Sequence, residues 1–360
     1  MALEVIVHNS HVIKYNQLAK KMLLSNIDTK KNFVVSPLSF YLLLALLTHA
    51  TDGNSKQEIL DVLGDENGLD DFVAQLKDKN NQLLSANGLC ILKDYYHSIN
   101  KKFILDTDDI YRPEIFVAGQ FAVDDINEWV NEKTLEMIPK LIDELPKDFV
   151  LCLMNALAFK AKWNKKYKPD EIEEDLFTGF NTSKTLTFLT SKEKLYVEDN
   201  YFKGFIKDYK KERYAFMALL PRKEGFDALK EAINHLDIIA LYQKHKEEDV
   251  EAKLPEFSIE SNFNLDDFTS NLGINDIFTS KANFSPLLND LPIKVDSIIQ
   301  KAYIKVDRDG TKAAAITAMM IRLASLSHSH YVYLNRPFIY AIIDKENDGL
   351  APFVGLFLAE

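Results

Sequence analysis

Strand-like segments crowd the second half of this 360-residue chain, and their order relative to the helices constrains its fold more than any other feature. VLCLMNALAF (150–159) is apolar almost throughout, which is typical of a central strand covered on both faces, whereas SIIQKAYIKV (297–306) alternates. The other strand-like segments are LLSANGLCIL, YAFMALLP, VEAKLPEFSI, YVYLNRPFIYAII and APFVGLFLA. Because helices dominate the first half and no βαβ order repeats, the sequence predicts an α+β fold with large mixed or antiparallel sheets.

Two helices stand out in the first half. Ser36 precedes Pro37 and the run FYLLLALLTHA, so Ser36 is an N-cap with proline at the first helical position. A helix that is apolar on every side is predicted to be buried. A second set of apolar residues recurs at helical spacing among charges and predicts a surface helix covering a sheet: Ile126, Trp129, Val130, Met137, Ile138 and Leu141.

Composition excludes several classes of protein. Hydrophobic residues make up 47% and charged residues 27% of the chain, which is ordinary globular usage. A net charge of −11 disfavours a nucleic-acid partner, and the longest apolar run, Phe40 to Leu47, is too short to span a membrane. Cys90 and Cys152 lie in apolar stretches and are predicted to be buried thiols. Without a linker or an internal repeat, one domain over residues 1–360 is favoured.

Catalytic and metal-binding motifs are missing from the sequence. There is no GxSxG, HExxH, GxxxxGK[ST] or strand-borne GxGxxG, so the common hydrolase, zinc-protease and nucleotide-binding signals are absent. Ser36 is explained as a helix cap and Ser39 as part of the buried helix. His328 and His330 lack a third ligand in their segment. We therefore expect no enzyme activity, no metal and no cofactor.

The segment DRDGTKAAAITAMMIRLASLSHSH (307–330) supports two structures. Its Ala, Met, Leu and Arg content favours a helix. Read with period two, one row is free of charge and consists of Thr311, Ala313, Ala315, Thr317 and Met319, while Lys312 lies on the other row. Such a row suits a strand that enters the crowded interior of a sheet.

Six motifs, taken in chain order, resemble the serpin family of serine protease inhibitors, and together they cover almost the whole chain. They are NFVVSPLSF with the later EILDVL (32–63), INEWVNEKT (126–134), NALAFKAKW (155–163), LPEFSIESNFNL (254–265), GTKAAAITA (310–318), and NRPF (335–338) with the C-terminal FVGLFLAE. The resemblance implies a single serpin domain without a long N-terminal extension. It further implies a large mixed central sheet, two smaller sheets, surrounding helices and an exposed reactive-centre loop at about 308–330.

The function implied by this resemblance is suicide-substrate inhibition. A serine protease would form a covalent acyl complex on the loop, and the cleaved loop would insert into the central sheet. The expected partner is thus a target serine protease, with no nucleic acid, no membrane and a monomeric inhibitor. Two alternatives stay open, a noninhibitory serpin acting as a binding, storage or chaperone-like module and an enzyme without a known motif. The uncharged row of the hinge favours inhibition.

The family's motifs place the loop residues as follows. The hinge comprises Gly310, Thr311, Lys312, Ala313, Ala314 and Ala315. The usual spacing from Gly310 puts the reactive bond between Ala324 and Ser325, which suits an elastase-like protease with a shallow pocket. Arg322 would instead suit a trypsin-like target, and Leu323 or Met320 a chymotrypsin-like one; a cysteine protease is a further alternative. Such targets favour an extracellular location, whereas the lack of a visible signal peptide leaves the cytoplasm open.

Two further groups of residues match family positions beneath and beside the sheet. Ser36, Ser39, Asn155 and Gln300 match the polar cluster called the shutter, with Gln300 where many members have histidine. Trp163 matches the aromatic of the breach, where the loop first inserts. Family members commonly pair an acidic residue with a lysine there. Arg308 and Glu256 reverse these charges, so they form either a swapped ion pair or two unrelated exposed charges.

Overall fold

The computed structural model describes residues 2–78, 81–119, 121–145, 149–289, 291–309 and 329–359, with the backbone alone for residues 2–9. The predicted hinge (310–315), the reactive bond between Ala324 and Ser325, and its alternatives Met320, Arg322 and Leu323 lie outside the described residues. The chain divides into two compact units. The first comprises Met1–Leu18, Ser36–Ala158 and Ser261–Tyr303, and the second Ala19–Val35, Phe159–Glu260 and Ile304–Glu360.

Helices are concentrated in the first half, as the sequence predicts. The α-helices are α1 Ala2–Asn26, α2 Pro37–Ala50, α3 Gly53–Leu63, α4 Leu69–Leu76, α5 Lys93–Tyr96, α6 Lys101–Asp108, α7 Ala122–Lys133, α8 Phe226–Asn234, α9 Ile238–Gln243 and α10 Asp266–Asn271. Short 3₁₀ turns occupy Ile27–Thr29, Pro169–Glu171, Asp276–Phe278 and Lys345–Asn347. Helix α2 begins as predicted, since Ser39 N–H donates to Ser36 Oγ at 3.0 Å and Pro37 is the first helical residue.

Fourteen strands form the two sheets of the described chain. They are β1 Phe33–Val35, β2 Leu83–Leu92, β3 Glu114–Ala118, β4 Leu151–Phe159, β5 Ile172–Thr178, β6 Ser183–Glu198, β7 Phe202–Asp208, β8 Tyr214–Pro221, β9 Lys246–Pro255, β10 Phe257–Asn264, β11 Val295–Val306, β12 His330–Tyr333, β13 Phe338–Asp344 and β14 Leu350–Phe357. A five-stranded sheet has the order β10-β11-β4-β2-β3. A nine-stranded sheet has the order β1-β14-β13-β8-β7-β6-β9-β12, with β5 paired to β6. The α+β prediction is confirmed.

The five-stranded sheet is built around β4, whose residues are all buried, as its continuous apolar sequence predicts. Strand β11 pairs with β4 in parallel, in a register that runs from Val295↔Leu151 to Tyr303↔Ala158. Strands β2 and β3 are also parallel. Strands β4 and β11 are therefore hydrogen-bonded directly to each other, with no strand between them.

Helix α7 covers this sheet but is shorter than predicted. Ile126 and Val130 pack into one buried cluster with Cys90 of β2 and Cys152 of β4. The helix ends at Lys133, so the helical interpretation of Met137, Ile138 and Leu141 is wrong. Leu135 and Glu136 have φ angles of 50° and 64°, a left-handed backbone that interrupts a right-handed helix. Ile138 and Leu141 are nevertheless buried in the same cluster, because the turns after the helix return them to the sheet.

The resemblance implies two smaller sheets beside the central one, whereas in the described chain nine strands form one continuous sheet. Strand β6 joins them because its sixteen residues pair with β5 and β9 along most of its length and with β7 at its end. Two predicted strands are each divided in two. VEAKLPEFSI separates into β9 and β10 next to Pro255, and YVYLNRPFIYAII separates into β12 and β13 around Pro337. A proline supplies no N–H to a strand ladder, which favours a break at these points.

Candidate functional site

Gln300 on β11 connects this strand to the beginning of α2. Its Oε1 accepts the backbone N–H of Ser36 at 3.1 Å, and its Nε2 donates to Ser36 O at 3.0 Å and to Ser39 Oγ at 2.8 Å. All three residues are almost completely buried. An amide can both donate and accept, and here one side chain satisfies three buried polar groups at a helix N-terminus. The structure thus brings together three of the four residues predicted for the shutter.

Asn155, the fourth residue of the predicted shutter, lies opposite Gln300 in the β4–β11 register. Its Nδ2 donates to Asn87 Oδ1 on the other neighbouring strand, β2, while its Oδ1 has no hydrogen-bond partner among the described residues. Asn87 did not stand out in the sequence, because a single asparagine in a strand gives no signal of its partner. The pair joins β4 to β2 on the side away from β11.

Trp163 lies in the second unit next to the end of β11. Its indole Nε1 donates to Asp307 O at 2.7 Å, and its backbone N–H donates to Asp309 O at 3.2 Å. The indole stacks on Tyr209 with ring centroids 4.4 Å apart. These contacts hold the three residues that precede the predicted hinge glycine.

Lys207 is buried beside this aromatic group and was missed from the sequence. Its side chain is 3% exposed, and its Nζ lies 2.7 Å from Glu193 Oε1. The same ammonium lies 4.4 Å from the ring centroid of Tyr167 and 5.5 Å from that of Trp163. A cation with a carboxylate partner and two aromatic faces is satisfied electrostatically despite its burial. Its only signal in the sequence is a lysine within the apolar strand FKGFIKD.

Arg308 and Glu256 contact each other. Arg308 Nε donates to Glu256 Oε1 at 3.1 Å and Nη2 donates to Oε2 at 3.0 Å, a forked arrangement of two parallel bonds. The backbone N–H of Arg308 also donates to Glu256 Oε1, at 3.0 Å. The hydrogen bonds that the Arg308 guanidinium donates to Glu256 raise the pKa of that guanidinium. Of the two arrangements left open by the sequence, the structure has the ion pair with reversed charges.

Asp309, the acidic residue next to Arg308, also forms an ion pair, although a more exposed one. Lys166 Nζ lies 2.8 Å from Asp309 Oδ1, with the lysine side chain 54% exposed. Tyr167 N–H donates to Arg308 O at 3.2 Å. Residues 307–309 are thus fixed by side chains and backbone from two other segments, residues 163–167 and Glu256, and the described chain reaches the predicted hinge from an anchored position.

The two thiols are buried and free, as the sequence predicts. Burial raises the pKa of Cys90 and of Cys152 to about 12, so both are protonated near neutral pH. Within the part of the chain that the structure describes, no helix has the length and apolar character needed to cross a bilayer.

Comparisons with known proteins agree with this architecture. A family model described as "Serpin (serine protease inhibitor)" matches residues 14–358. Serpin A3-7 of Bos taurus is 30% identical over 93% of this chain and 84% of its own length, and Antitrypsin of Bombyx mori is 29% identical over 91% and 88%. The native state of the thermophilic serpin tengpin has a TM-score of 0.86 with 31% identity, covering 97% of this chain and 94% of its own.

A structure of thyroxine-binding globulin in complex with thyroxine has a TM-score of 0.82 with 21% identity, covering 99% of each chain. At this identity the likeness shows the fold alone.

Proposed function

This chain belongs to the serpin family of serine protease inhibitors, and on that premise we propose that it inhibits a serine protease as a suicide substrate. The loop at about 308–330 is offered to the protease, the acyl complex forms on it, and the loop then inserts into the five-stranded sheet. The chain acts as a monomer and a single serpin domain, and extracellular proteases are the favoured targets. Serpins are inhibitors and not enzymes, so the loop residues are a substrate and not a catalytic site.

The observation that supports this mechanism is the direct parallel pairing of β4 with β11. The loop leaves the end of β11, so a segment that folds back onto the sheet runs antiparallel to β11. Because β4 is parallel to β11, the same segment is antiparallel to β4 as well. Insertion therefore replaces one parallel ladder by two antiparallel ladders, which are slightly more stable per residue. Each additional hydrogen bond contributes about 1 kcal/mol net, so a whole strand contributes many times that amount.

The polar contacts around this pairing fit a sheet that opens. Gln300 on β11 holds the start of α2, while Asn155 on β4 holds Asn87 on β2. Neither set of hydrogen bonds joins the Gln300 side chain of β11 to the Asn155 side chain of β4. When β4 and β11 separate, the backbone hydrogen bonds between them break, while the Gln300 side chain can keep its hydrogen bonds to the start of α2. The shutter role proposed for these residues rests on this arrangement.

We propose Ala324–Ser325 as the reactive bond and an elastase-like protease as the target. The basis is the family spacing from Gly310 and the small side chain of Ala324. Incubation with elastase, trypsin and chymotrypsin, followed by denaturing gels, tests for the covalent complex. Mass spectrometry of the released C-terminal fragment locates the bond. A fragment that begins at Leu323 assigns specificity to Arg322 and a trypsin-like target, and one that begins at Ala324 assigns it to Leu323.

A substitution in the hinge tests loop insertion directly. Thr311→Arg places a charge on the row that enters the sheet, where burial of an unpaired ion costs several kcal/mol, about 3 or more. We expect hydrolysis of the acyl-enzyme to be faster than loop insertion, so the variant is cleaved as a substrate. Lys312→Glu is the matched control, because it changes a charge on the opposite row and should still trap. If Thr311→Arg traps protease at unchanged stoichiometry, the hinge assignment is wrong.

The noninhibitory alternative is separated from inhibition by a melting experiment. A clean cut between Met319 and Ser327 by a protease that is not trapped frees the loop to insert. For an inhibitory chain we expect the unfolding temperature to rise by roughly tens of degrees, because a central strand is added. A melting temperature that stays constant or falls after the cut, together with no covalent complex, would support a binding or chaperone-like role.

A further inference from the structure

A cavity of about 450 Å³ lies within the first unit, and Asn87 is the one residue of its described lining that also belongs to the polar contacts of the proposed shutter. The lining combines polar with apolar side chains, and its apolar part includes Leu38 and Leu42 of α2, Val73 and Leu76 of α4, Ala86 of β2 and Leu157 of β4. This volume falls within the range of pockets that hold small molecules, and predominantly apolar walls with a few polar groups are their usual composition. The cavity is therefore large enough for an apolar ligand of moderate size.

Charged side chains line the same cavity, and two of the cations are uncommitted. Lys77 Nζ donates to Asp109 O at 2.7 Å, and the Asp78 carboxylate accepts the backbone N–H of Leu83 at 2.7 Å. Arg112 and Lys133 are exposed, and neither side chain has an ion-pair or hydrogen-bond partner among the described residues. In a chain with a net charge of −11, two uncommitted cations beside an apolar cavity favour an anionic group.

Trp129 supplies an aromatic ring at this wall. It lines the cavity, and its buried Nε1 has no partner in the described part of the chain. Its ring is fixed by Phe116, with centroids 5.0 Å apart, and by Gly88, where an added Cβ would approach the ring to 2.9 Å. Trp129 and Lys133 are four residues apart on α7, so both lie on one face of the helix. Trp129 and Lys133 therefore line the cavity from the same helix.

One further acidic residue shapes the expected ligand. Glu114 on β3 lines the cavity, is exposed, and has no side-chain partner among the described residues. It opposes an anion, but Arg112 and Lys133 together outweigh it. A wholly polar anion would leave the apolar part of the lining unfilled, and a neutral apolar molecule would leave the two cations unused. The ligand that uses every part of the cavity is an apolar chain with an anionic head group.

We propose that this cavity binds an amphipathic carboxylate, such as a medium-chain fatty acid. The hydrocarbon chain packs against the leucines of α2 and α4. The carboxylate lies between the Arg112 guanidinium and the Lys133 ammonium, and the Trp129 ring forms part of the wall. A carboxylate paired with two cations is compensated for leaving water, and burial of the hydrocarbon chain adds a hydrophobic contribution.

The test uses dodecanoate below its micellar concentration. Because the chain has two tryptophans, Trp163→Phe leaves Trp129 as the single indole, and a terminally brominated fatty acid should quench its fluorescence saturably. Calorimetric titration of the unsubstituted protein with dodecanoate gives the affinity without any variant. Dodecanol and dodecyltrimethylammonium serve as neutral and cationic probes. We expect dodecanoate to bind about tenfold more tightly than either. Equal binding of all three probes would overturn the head-group assignment, and the absence of saturable binding would overturn the site.

Four substitutions locate the head group and the chain. Arg112→Gln and Lys133→Gln should each weaken dodecanoate binding about two- to fivefold, the factor given by an exposed ion pair. Glu114→Gln should strengthen it by a similar factor. Lys165→Gln, an exposed cation of the second unit, is the matched control and should have no effect. Ala86→Leu should weaken all probes because it fills the cavity. Unchanged affinity in Arg112→Gln and Lys133→Gln, with the fold intact by circular dichroism, would refute the proposal.

Discussion

The ion pair between Arg308 and Glu256 is expected to stabilise the native protein by about 1–2 kcal/mol. Exposed ion pairs contribute ~0.2–1 kcal/mol, whereas hydrogen bonds to charged groups contribute about 1.5–3 kcal/mol. Each of these side chains is only 22% exposed, and two parallel N–H···O bonds join them. The interaction is therefore stronger than an exposed pair, while the remaining solvent contact screens it below a buried one.

A double-mutant cycle measures this contribution. Arg308→Ala, Glu256→Ala and the double variant are unfolded in urea, and the coupling free energy is taken from the four stabilities. Glu256→Ala should cost more than Arg308→Ala, because Glu256 also accepts the backbone N–H of residue 308. That backbone bond is lost equally in both backgrounds, so the cycle isolates the side-chain pair. A coupling below about 0.5 kcal/mol would refute the reasoning, since independent sites are additive within that error.

Charge reversal gives a second, sharper readout of the same contact. Arg308→Glu places two carboxylates together, so we expect loss of the pair, repulsion, and faster conversion to inactive inserted or polymerised forms. Adding Glu256→Lys restores opposite charges but removes the acceptor of the residue 308 N–H, so rescue should fall short by about 1 kcal/mol. Lys166→Ala is the control, because its pair with Asp309 is 54% exposed at the lysine and should contribute less than about 1 kcal/mol. Full additivity in the reversed cycle would contradict the contact.

Three further predictions concern other parts of the chain. Gln300→Leu should destabilise the protein by about 1–3 kcal/mol in urea unfolding, because it removes the buried amide that bonds Ser36 N–H, Ser36 O and Ser39 Oγ. Hydrogen bonds from Lys246 and Arg222 lower the pKa of Glu198 to about 2. The ionised carboxylate therefore stabilises the fold fully above its unfolded pKa of about 4.3, and this stabilisation is lost as the pH falls through 2. The melting temperature of Glu198→Gln should accordingly fall less steeply than that of the unsubstituted protein between these two pH values. Because burial raises the pKa of both thiols to about 12, Cys90 and Cys152 should resist a disulfide reagent at neutral pH and react only in urea.

Sequence patterns within a short window correctly predicted two elements, helix α2 and strand β4. The cap at Ser36 with Pro37 fixes the start of α2, and continuous apolar sequence fixes β4 as a buried strand. Strand β6 was missed because SKTLTFLTSKEKLYVE is largely polar and alternates only in part. Its extended conformation depends on pairing with β5, β7 and β9, which no window of sequence contains.

The polar site was accessible from the sequence only through the family resemblance. Gln300 and Ser36 are separated by 264 residues, so no spacing rule connects them. Lys207, Glu193 and Asn87 were missed because each is an ordinary polar residue in a strand, and their partners become visible only in the folded chain. The end of α7 was placed too late because helical spacing continued through Ile138, whereas backbone dihedral angles at Leu135 and Glu136 ended the helix.

The reversed polarity of Arg308 and Glu256 is not equivalent to the arrangement common in the family. The Coulomb attraction between two unit charges is unchanged when their signs are exchanged. The hydrogen bonding is changed, because a carboxylate accepts several bonds and an ammonium accepts none. With glutamate at position 256, one oxygen binds both the Arg308 side chain and the Arg308 backbone N–H. A lysine at position 256 would leave that N–H to another acceptor. The exchange therefore fixes the backbone two residues before Gly310 as well as pairing the charges, and it anchors the start of the proposed reactive loop more firmly than the charge pair alone.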